Sequence, residues 1–417
     1  MTREPKLDPA PPRGMRDILP DEAEVRDRAI VTILEVYRHH GFQRIETPAV
    51  EHLRLLTGGQ GGENEKLIFK ILKRGEKLTA AQDPDELADL GLRFDLTVPL
   101  ARYYAHNHAR LPQPLKAIQI GSVWRAERPQ HGRYRQFTQC DIDILGVTSE
   151  IAEIELIVAT VEALHALGLA DLTVRINDRR ILAAMARHAG FAEDRFESVF
   201  IALDKLDKID KAGVIGELER EGHPAPAIAT LMRVLDKPDE LARVVEAEPA
   251  AWAGLQRIIQ TATAAAGGRF ELVFDPTLVR GMTYYTGPIF EIRHADSPSS
   301  IAGGGRYDRM IGRMLGREVP ATGFSIGFER VIGILAERAA QIAPRREQIA
   351  IVFDEQTPHL AEILTRARQH RAEGHVVLLD LKRKNLGRQL HDLETRGFTR
   401  IAVVDAAGSY EWRGPKA

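Results

Sequence analysis

Apolar positions along the chain change their spacing several times, and each change marks an element. Over 21–40, Val25, Ala29, Ile30, Ile33, Leu34 and Tyr37 recur at helical spacing, with acidic residues in the first turn and Gly41 beyond the end. A helix is predicted there, followed by a short strand over 42–45 that ends before Pro48. Such a helix suits a core or a subunit interface equally well. Two longer apolar runs, 118–124 and 137–145, read as strands of a hairpin. In the second, Gln139, Asp141 and Asp143 alternate with Cys140, Ile142 and Ile144, so its polar side faces something other than a dry core.

Before the hairpin, 79–89 is acidic and loop-like, and 92–98 reads as a short extended run. That run puts Asp95 and Thr97 on one face and Phe94, Leu96 and Val98 on the other, a carboxylate and a hydroxyl placed to receive an ammonium group or simply to meet solvent. After it, 149–167 is predicted as an amphipathic helix and 172–176 as a strand. From 177 to 268, helical spacing and alanine dominate (181–189, 196–206, 227–235, 238–245), which predicts a helical insertion without recognisable chemistry. Strand character returns at 270–274. Arg280 then stands close to Tyr284 and Tyr285, a cation beside two phenols, or else a turn whose tyrosines pack on a sheet.

The glycines of Ile301-Ala-Gly-Gly-Gly-Arg-Tyr-Asp308 allow close backbone approach to a ligand, although the lysine and hydroxyl of a phosphate-binding P-loop are missing. The stretch 321–335 reads as a strand entering a helix, with Arg330 near the helix start, facing a phosphate or solvent. Past a polar linker at 337–346, strands at 349–353, 375–379 and 400–404 alternate with helices at 361–371 and 386–396, a small α/β domain with a mostly parallel sheet. Lys382, Arg383, Lys384 and Arg388 gather where a strand gives way to a helix, an anion site or a solvated basic turn.

Composition narrows the function classes. The chain has 417 residues, enough for two or three domains. Its 57 basic and 59 acidic residues nearly cancel, against nonspecific coating of nucleic acid but not against docking one folded RNA through local patches. The single Cys140 excludes an internal disulfide and a cysteine-rich zinc site, and fits a reducing cytosol. No apolar run approaches membrane-spanning length, and the polar, proline-rich residues 1–13 do not form a signal peptide, so a soluble cytoplasmic protein is expected. The hairpin loop is strongly cationic: Arg125, Glu127, Arg128, Pro129, Gln130, His131, Gly132, Arg133 and Arg135 lie between the two strands, a charge pattern that can hold a polyanion.

Taken in order, these stretches resemble the histidyl-tRNA synthetases, a family of class II aminoacyl-tRNA synthetases. Pro12-Arg-Gly-Met-Arg-Asp-Ile-Leu-Pro20 is similar to the family's opening, and the first helix with Thr47-Pro48 to class II motif 1, a dimer element. Residues 125–139 resemble motif 2 and 323–330 motif 3, while Leu278-Val-Arg-Gly-Met-Thr-Tyr-Tyr285 and Ala302-Gly-Gly-Gly-Arg-Tyr-Asp308 resemble the two histidine signatures. Asn177-Asp-Arg-Arg-Ile-Leu182 and Asp204-Lys-Leu-Asp-Lys208 are similar to the insertion of the branch that includes eukaryotic enzymes.

The resemblance implies an α+β fold. A class II catalytic domain on an antiparallel sheet (1–176 and 269–336) would be interrupted by the helical insertion (177–268) and followed by a small α/β anticodon-binding-like domain (346–417) that looks shortened of its closing strand and helix. It implies ATP-dependent activation of L-histidine and transfer to tRNA(His), with Mg²⁺, by a homodimer away from membranes. Arg125 and Arg280 would be catalytic. Arg125 would serve the α-phosphate and substrate carboxylate, Arg280 the α-phosphate from the other side, and Arg330 the γ-phosphate. Glu127, Arg133 and Phe137 would hold the nucleotide. Asp95, Thr97 and Gln139 would bind the substrate ammonium, Asp143 and Tyr285 its imidazole, with Tyr284 on the same wall. Gln130, Arg135, Lys382, Arg383, Lys384 and Arg388 would meet tRNA, and no protein ligand for a metal is expected. Thr283 departs from the Asp common in relatives, and 79–89 is longer than expected. A silent histidine-sensing paralogue, such as the regulatory subunit of ATP phosphoribosyltransferase, should lack the ATP-binding arginines that are present here. A stand-alone histidine-activating enzyme that does not act on tRNA is a second alternative.

Overall fold

The computed structural model describes residues 8–58, 65–79, 83, 86–127, 134–280, 284–339 and 347–414. The chain divides into two compact units, Met1–Glu337 and Arg338–Ala417. The strands of the first unit are, in chain order, β1 (Gln43–Arg44), β2 (Val50–His52), β3 (Lys70–Leu72), β4 (Ala88–Leu92), β5 (Leu115–Trp124), β6 (Gln136–Leu145), β7 (Leu172–Asp178), β8 (Phe270–Phe274), β9 (Pro288–His294), β10 (Ala302–Arg306) and β11 (Ala321–Ile326). Eight of them form one sheet in the order β1-β5-β6-β11-β10-β9-β7-β8, and β2-β4-β3 form a small antiparallel sheet. Within the large sheet only the edge pairs β1–β5 and β7–β8 are parallel. The antiparallel-sheet α+β architecture implied by the sequence is the one found.

The period-two alternation of β6 decides which face of this sheet is dry. Cys140, Ile142 and Ile144 are buried in the main core with Ile118 of β5, against the helices Pro20–His39 and Ile151–Ala166. The first helix buries Ala29, Ile33, Leu34 and Tyr37, so the face predicted from spacing is spent on the core. The helix at Ile151–Ala166 departs from its expected amphipathic character. It is buried on most sides, and its Glu153 is fully buried against Arg306 of β10, which donates two bonds of 2.7 and 2.8 Å.

A second departure lies before the hairpin. Strand β4 ends at Leu92, and Thr97 begins the helix Thr97–Asn107 instead of continuing an extended run. The reason is local: Asp95 Oδ1 accepts from the Val98 amide at 3.1 Å in the helix's first turn. Pro99 falls where a missing N–H costs nothing, and Val98, Leu100, Ala101 and Tyr104 then bury one helical face.

Between β7 and β8 the described chain is helical, from Arg179–Ala189 through Phe196–Leu203, Leu206–Arg220, Ala225–Asp236 and Pro238–Glu246 to Pro249–Ala266. Asp178 caps the first of these by accepting from the Arg180 amide at 2.8 Å. The last packs on β8 and on Ile151–Ala166, so this stretch shares the main core.

The second unit carries β12 (Gln348–Phe353), β13 (Val376–Leu381), β14 (Arg400–Val404) and β15 (Tyr410–Arg413) in the order β13-β12-β14-β15, with helices Leu360–Ala372 and Leu386–Thr395. The first three strands are parallel, as the alternation of strands and helices predicts. Beyond Val404, the last strand expected from sequence, the chain adds antiparallel β15. Its short run of alternating aromatics, Tyr410 and Trp412, packs on the small core.

Candidate active site

The polar face of the large sheet forms the floor of a cleft of about 820 Å³ in the first unit. Strand β6 supplies Phe137, Gln139, Asp141 and Asp143; β10 and β11 supply a glycine-lined centre; the ends of β5 and β6 supply Arg125, Glu127 and Arg135. Asp95, Thr97, Arg280, Tyr284, Tyr285 and Arg330 close the walls. Twelve of the first-unit residues singled out from sequence, scattered between positions 95 and 330, therefore line one cavity. Gln130, Arg133 and the unusual Thr283 lie outside the described residues.

One end of the cleft is lined by buried carboxyl groups. Asp95, Asp141 and Asp143 are 2%, 4% and 3% exposed. Asp143 Oδ1 accepts from the Tyr307 hydroxyl at 2.6 Å, while its Oδ2 has no partner. Asp95 Oδ2, Asp141 Oδ1 and the Gln139 side-chain oxygen are likewise buried without hydrogen bonds, although Gln139 donates to Ser325 at 3.3 Å. Burial raises the Asp95 carboxyl to about 6 against the opposing help of the Val98 amide and Arg125. It raises Asp143 to about 7, with the Tyr307 bond opposing and the charge of Asp95 adding to the rise. Asp141 is pushed well above the usual carboxylate range by burial and by Asp143. Unpaired buried acceptors of this density cost stability unless a ligand supplies donors and positive charge. The aromatic wall beside them is Tyr284, Tyr285 and Tyr307, with ring centroids of 4.8 Å between the first two and 5.9 Å between Tyr284 and Tyr307.

The remainder of the cleft is cationic. Arg125 Nε donates to the Phe94 carbonyl at 3.1 Å, and its guanidinium lies 5.1 Å from the centre of the Phe137 ring. Arg280 pairs with Glu291 at 3.5 Å; Glu291 also holds Arg175 at 2.9 Å and Arg293 at 3.0 Å. Arg280 lies flat on β10, where a Cβ on Gly303 would collide with its guanidinium. A Cβ on Gly323 of β11 would collide in the same way with Asp143. These glycines make room for the side chains of Arg280 and Asp143, a more specific role than general close approach to a ligand. Arg330 donates to the Ser300 carbonyl. Its neighbour Glu329 accepts from Arg26 at 2.7 and 2.9 Å and from the Thr138 amide at 3.0 Å, which ties the first helix to the cleft wall.

The family profile described as Histidyl-tRNA synthetase matches residues 14–331. A histidine–tRNA ligase of Leifsonia xyli is 49% identical over 95% of this chain and 95% of its own length, and one of Aeropyrum pernix is 42% identical over 78% of this chain and 73% of its own. The chain belongs to the histidyl-tRNA synthetase family. The crystal structure of a histidyl-tRNA synthetase from Nostoc sp. PCC 7120 superposes with a TM-score of 0.77 at 26% identity, covering 98% of this chain and 97% of that one. An ATP phosphoribosyltransferase regulatory subunit/histidyl-tRNA synthetase from Bacillus halodurans shares the fold, with a TM-score of 0.73 at 23% identity over 93% of this chain and 97% of that one.

Several residues of this synthetase's cleft escaped the sequence reading. Asp141 stood in the alternation of β6 but received no role. Tyr307 sat within the quoted glycine signature, two residues from the β10 glycines, and is the group that grips Asp143. Glu291 and Arg175 carry no local signal, because their partnership joins β7 to β9 across 116 residues of sequence. Leu203, Asp204, Leu206 and Lys208 of the helical stretch also reach the cleft wall, where no chemistry had been expected. They arrive there because the chain turns between the helices Phe196–Leu203 and Leu206–Arg220. The basic residues Lys382, Arg383, Lys384 and Arg388 belong to the second unit and are exposed. Arg383 pairs there with Asp380 at 3.5 Å, and Lys382 with Asp354 at 3.4 Å.

None of the described helices is long and apolar enough to cross a membrane.

Proposed function

We propose that this synthetase activates L-histidine with ATP and transfers it to tRNA(His), using the residues gathered in the cleft. The carrying observation is the pairing of a desolvated carboxyl end, where Asp95 Oδ2, Asp141 Oδ1, Asp143 Oδ2 and the Gln139 side-chain oxygen have no partners, with a guanidinium-lined remainder. An amino acid with a cationic α-ammonium and a ring N–H satisfies the first part, and a triphosphate the second.

On this reading Asp95, Thr97 and Gln139 receive the ammonium group. Asp143, held by Tyr307, accepts from one ring nitrogen, and Tyr285 bonds the other with Tyr284 beside it. The substrate carboxylate, already ionised at neutral pH, attacks the α-phosphorus in line; the bond to the β-phosphate oxygen breaks and pyrophosphate leaves, giving histidyl-adenylate. No general base is needed for that step. Arg125 and Arg280 stabilise charge on the α-phosphoryl oxygens from two sides, and Arg330 holds the γ-phosphate. Glu127 and Arg133 bind the nucleotide and Phe137 stacks on adenine. In the second step a terminal ribose hydroxyl of tRNA attacks the activated carbonyl and AMP departs.

Two of the cleft's carboxylates are already committed to arginines and are not free to build a magnesium cage, and Asp95 and Asp143 are assigned to the substrate. Glu291 is taken up by Arg175, Arg280 and Arg293, and Glu329 by Arg26 and Arg16. We therefore assign Mg²⁺ to the phosphates of ATP, where it would supply further charge neutralisation. The tRNA contacts fall to Gln130 and Arg135 at the hairpin and to Lys382, Arg383, Lys384 and Arg388 on the second unit. Homodimerisation through the first helix would use the face left open by the core, where Val31 is 55% exposed. The cytoplasm, where aminoacyl-tRNA is consumed, is its place of work. Histidine-dependent exchange of pyrophosphate into ATP, followed by charging of tRNA(His), tests the two steps separately. Exchange without charging would leave the activating half of this reading standing and remove the tRNA half.

A further inference from the structure

The second unit contains a constellation to which the proposed activation and charging steps give no role. The helix Leu360–Ala372 ends in the sequence His370-Arg-Ala-Glu-Gly-His375. Gly374 adopts a φ of +91°, the left-handed conformation that glycine tolerates best, and its amide bonds to the Arg371 carbonyl at 3.1 Å. The next amide, that of His375, bonds back to the His370 carbonyl at 3.1 Å. This helix stop folds His375 over the last turn and sets two imidazoles and the Glu373 carboxylate face to face.

We infer that His370, Glu373 and His375 form a site for a divalent transition-metal ion, Zn²⁺ being the ion that this donor set fits best. The atoms available for ligation all lie within 4.8 Å of one another. Glu373 Oε2 is 3.0 Å from His370 Nδ1 and 3.7 Å from His375 Nε2. Tetrahedral coordination with bonds of about 2.0–2.1 Å separates neighbouring ligand atoms by about 3.3 Å, so these two distances bracket the requirement, and the two imidazole nitrogens, within 4.8 Å of each other, reach it by side-chain rotation. Two imidazoles and one carboxylate leave a fourth position for water, a set that suits zinc better than magnesium or calcium.

A second feature points the same way. His375 Nδ1, the nitrogen that would not ligate, faces Glu347 Oε2 at 3.5 Å, and Glu347 is itself held by Arg400 at 3.4 Å. A carboxylate on the outer nitrogen is the usual partner of a metal-bound histidine, because it fixes the ring and strengthens the inner nitrogen as a ligand. His370 is backed by Trp412 of β15, with ring centroids 6.0 Å apart. The bound ion would pin the end of the helix Leu360–Ala372 to the turn that leads into β13.

The experiment is a Zn²⁺ titration of the full-length protein, stripped with a chelator and free of ATP, read by competition with a chromophoric chelator. The wild type should bind one equivalent with a dissociation constant of about 10 µM or tighter. His370→Ala and His375→Ala should each weaken that site by about a hundredfold, and Glu347→Gln by about tenfold through the outer nitrogen alone. Pyrophosphate exchange, carried by the first unit, should be unchanged in all three variants, and their far-ultraviolet circular dichroism and thermal unfolding, matched to the wild type's, show that the second unit still folds. Absence of binding at 100 µM Zn²⁺, or binding indifferent to both histidine substitutions, would overturn the assignment.

Discussion

Replacing Asp143 by Asn probes the cost that the cleft bears for its ligand. The Asp143 carboxyl rises from 3.8 to about 7 on folding, because the group is buried and beside other carboxylates. For a group whose folded value is raised, stability is fully present below the unfolded value and is lost as pH climbs through the folded one. The penalty therefore grows from about zero below pH 4, through about 2 kcal/mol at pH 5.5, to about 4 kcal/mol at pH 8. Asn is isosteric and keeps an oxygen for Tyr307, but its buried amide forfeits about 1–3 kcal/mol of its own. The net gain at pH 8 is about 1–3 kcal/mol. With about 0.7 kcal/mol/K of unfolding entropy for a unit spanning Met1–Glu337, the ligand-free thermal midpoint should rise by about 1–4 °C. The gain should fade toward zero at pH 5.5. Histidine affinity should drop about 10–100-fold, since one hydrogen bond to a charged partner is lost. The assay is thermal unfolding at both pH values with and without histidine. A variant that destabilises at pH 8 at least as much as at pH 5.5 would refute the claim that the empty site carries an unfavourable buried charge.

Arg280→Ala should lower single-turnover adenylate formation by about 10²–10³ while histidine affinity changes little, and an unchanged rate would remove Arg280 from the mechanism. Gly303→Ala, which displaces the same guanidinium, should share the rate defect. Histidine affinity should fall as pH drops through about 6, because Asp95, raised to about 6 in the empty site, must be ionised to hold the ammonium group and the free imidazole protonates in the same range; calorimetry from pH 5.5 to 8 that finds constant or rising affinity toward acid would contradict this. Replacing Lys382, Arg383, Lys384 and Arg388 by Ala should flatten the salt dependence of tRNA binding and reduce charging while pyrophosphate exchange persists, whereas an unchanged salt slope would move the phosphate contacts elsewhere.

What could be read from sequence and what could not follow a physical line. The alternation along β6 was legible because a strand's side chains obey a period of two whatever surrounds them, and Gln139, Asp141 and Asp143 do face the cleft. The start of the helix at Thr97 was not, because Leu92-Arg-Phe-Asp-Leu-Thr-Val alternates like a strand and the deciding bond, Asp95 to the Val98 amide, exists only once the chain has turned. Arg280 was visible as a cation beside tyrosines, but its anchor Glu291 was not, since that pairing is made by sheet register. The contribution of Asp204 and Lys208 depends on where a helical stretch folds back, which periodicity cannot give. The gathering of twelve residues from four separate stretches is interpretable through their order along the chain, which carries the family resemblance.

The account rests on the carboxylate end of the cleft recognising histidine and the guanidinium end driving attack on ATP. Pyrophosphate exchange into ATP by the purified full-length protein, measured with each of the common amino acids in turn, tests both at once. Exchange should depend on histidine alone, and Asp143→Asn and Arg280→Ala should each depress it, the first by raising the histidine concentration required and the second by lowering the maximal rate. Exchange with another amino acid, or none with histidine when ATP and Mg²⁺ are present, would contradict the account.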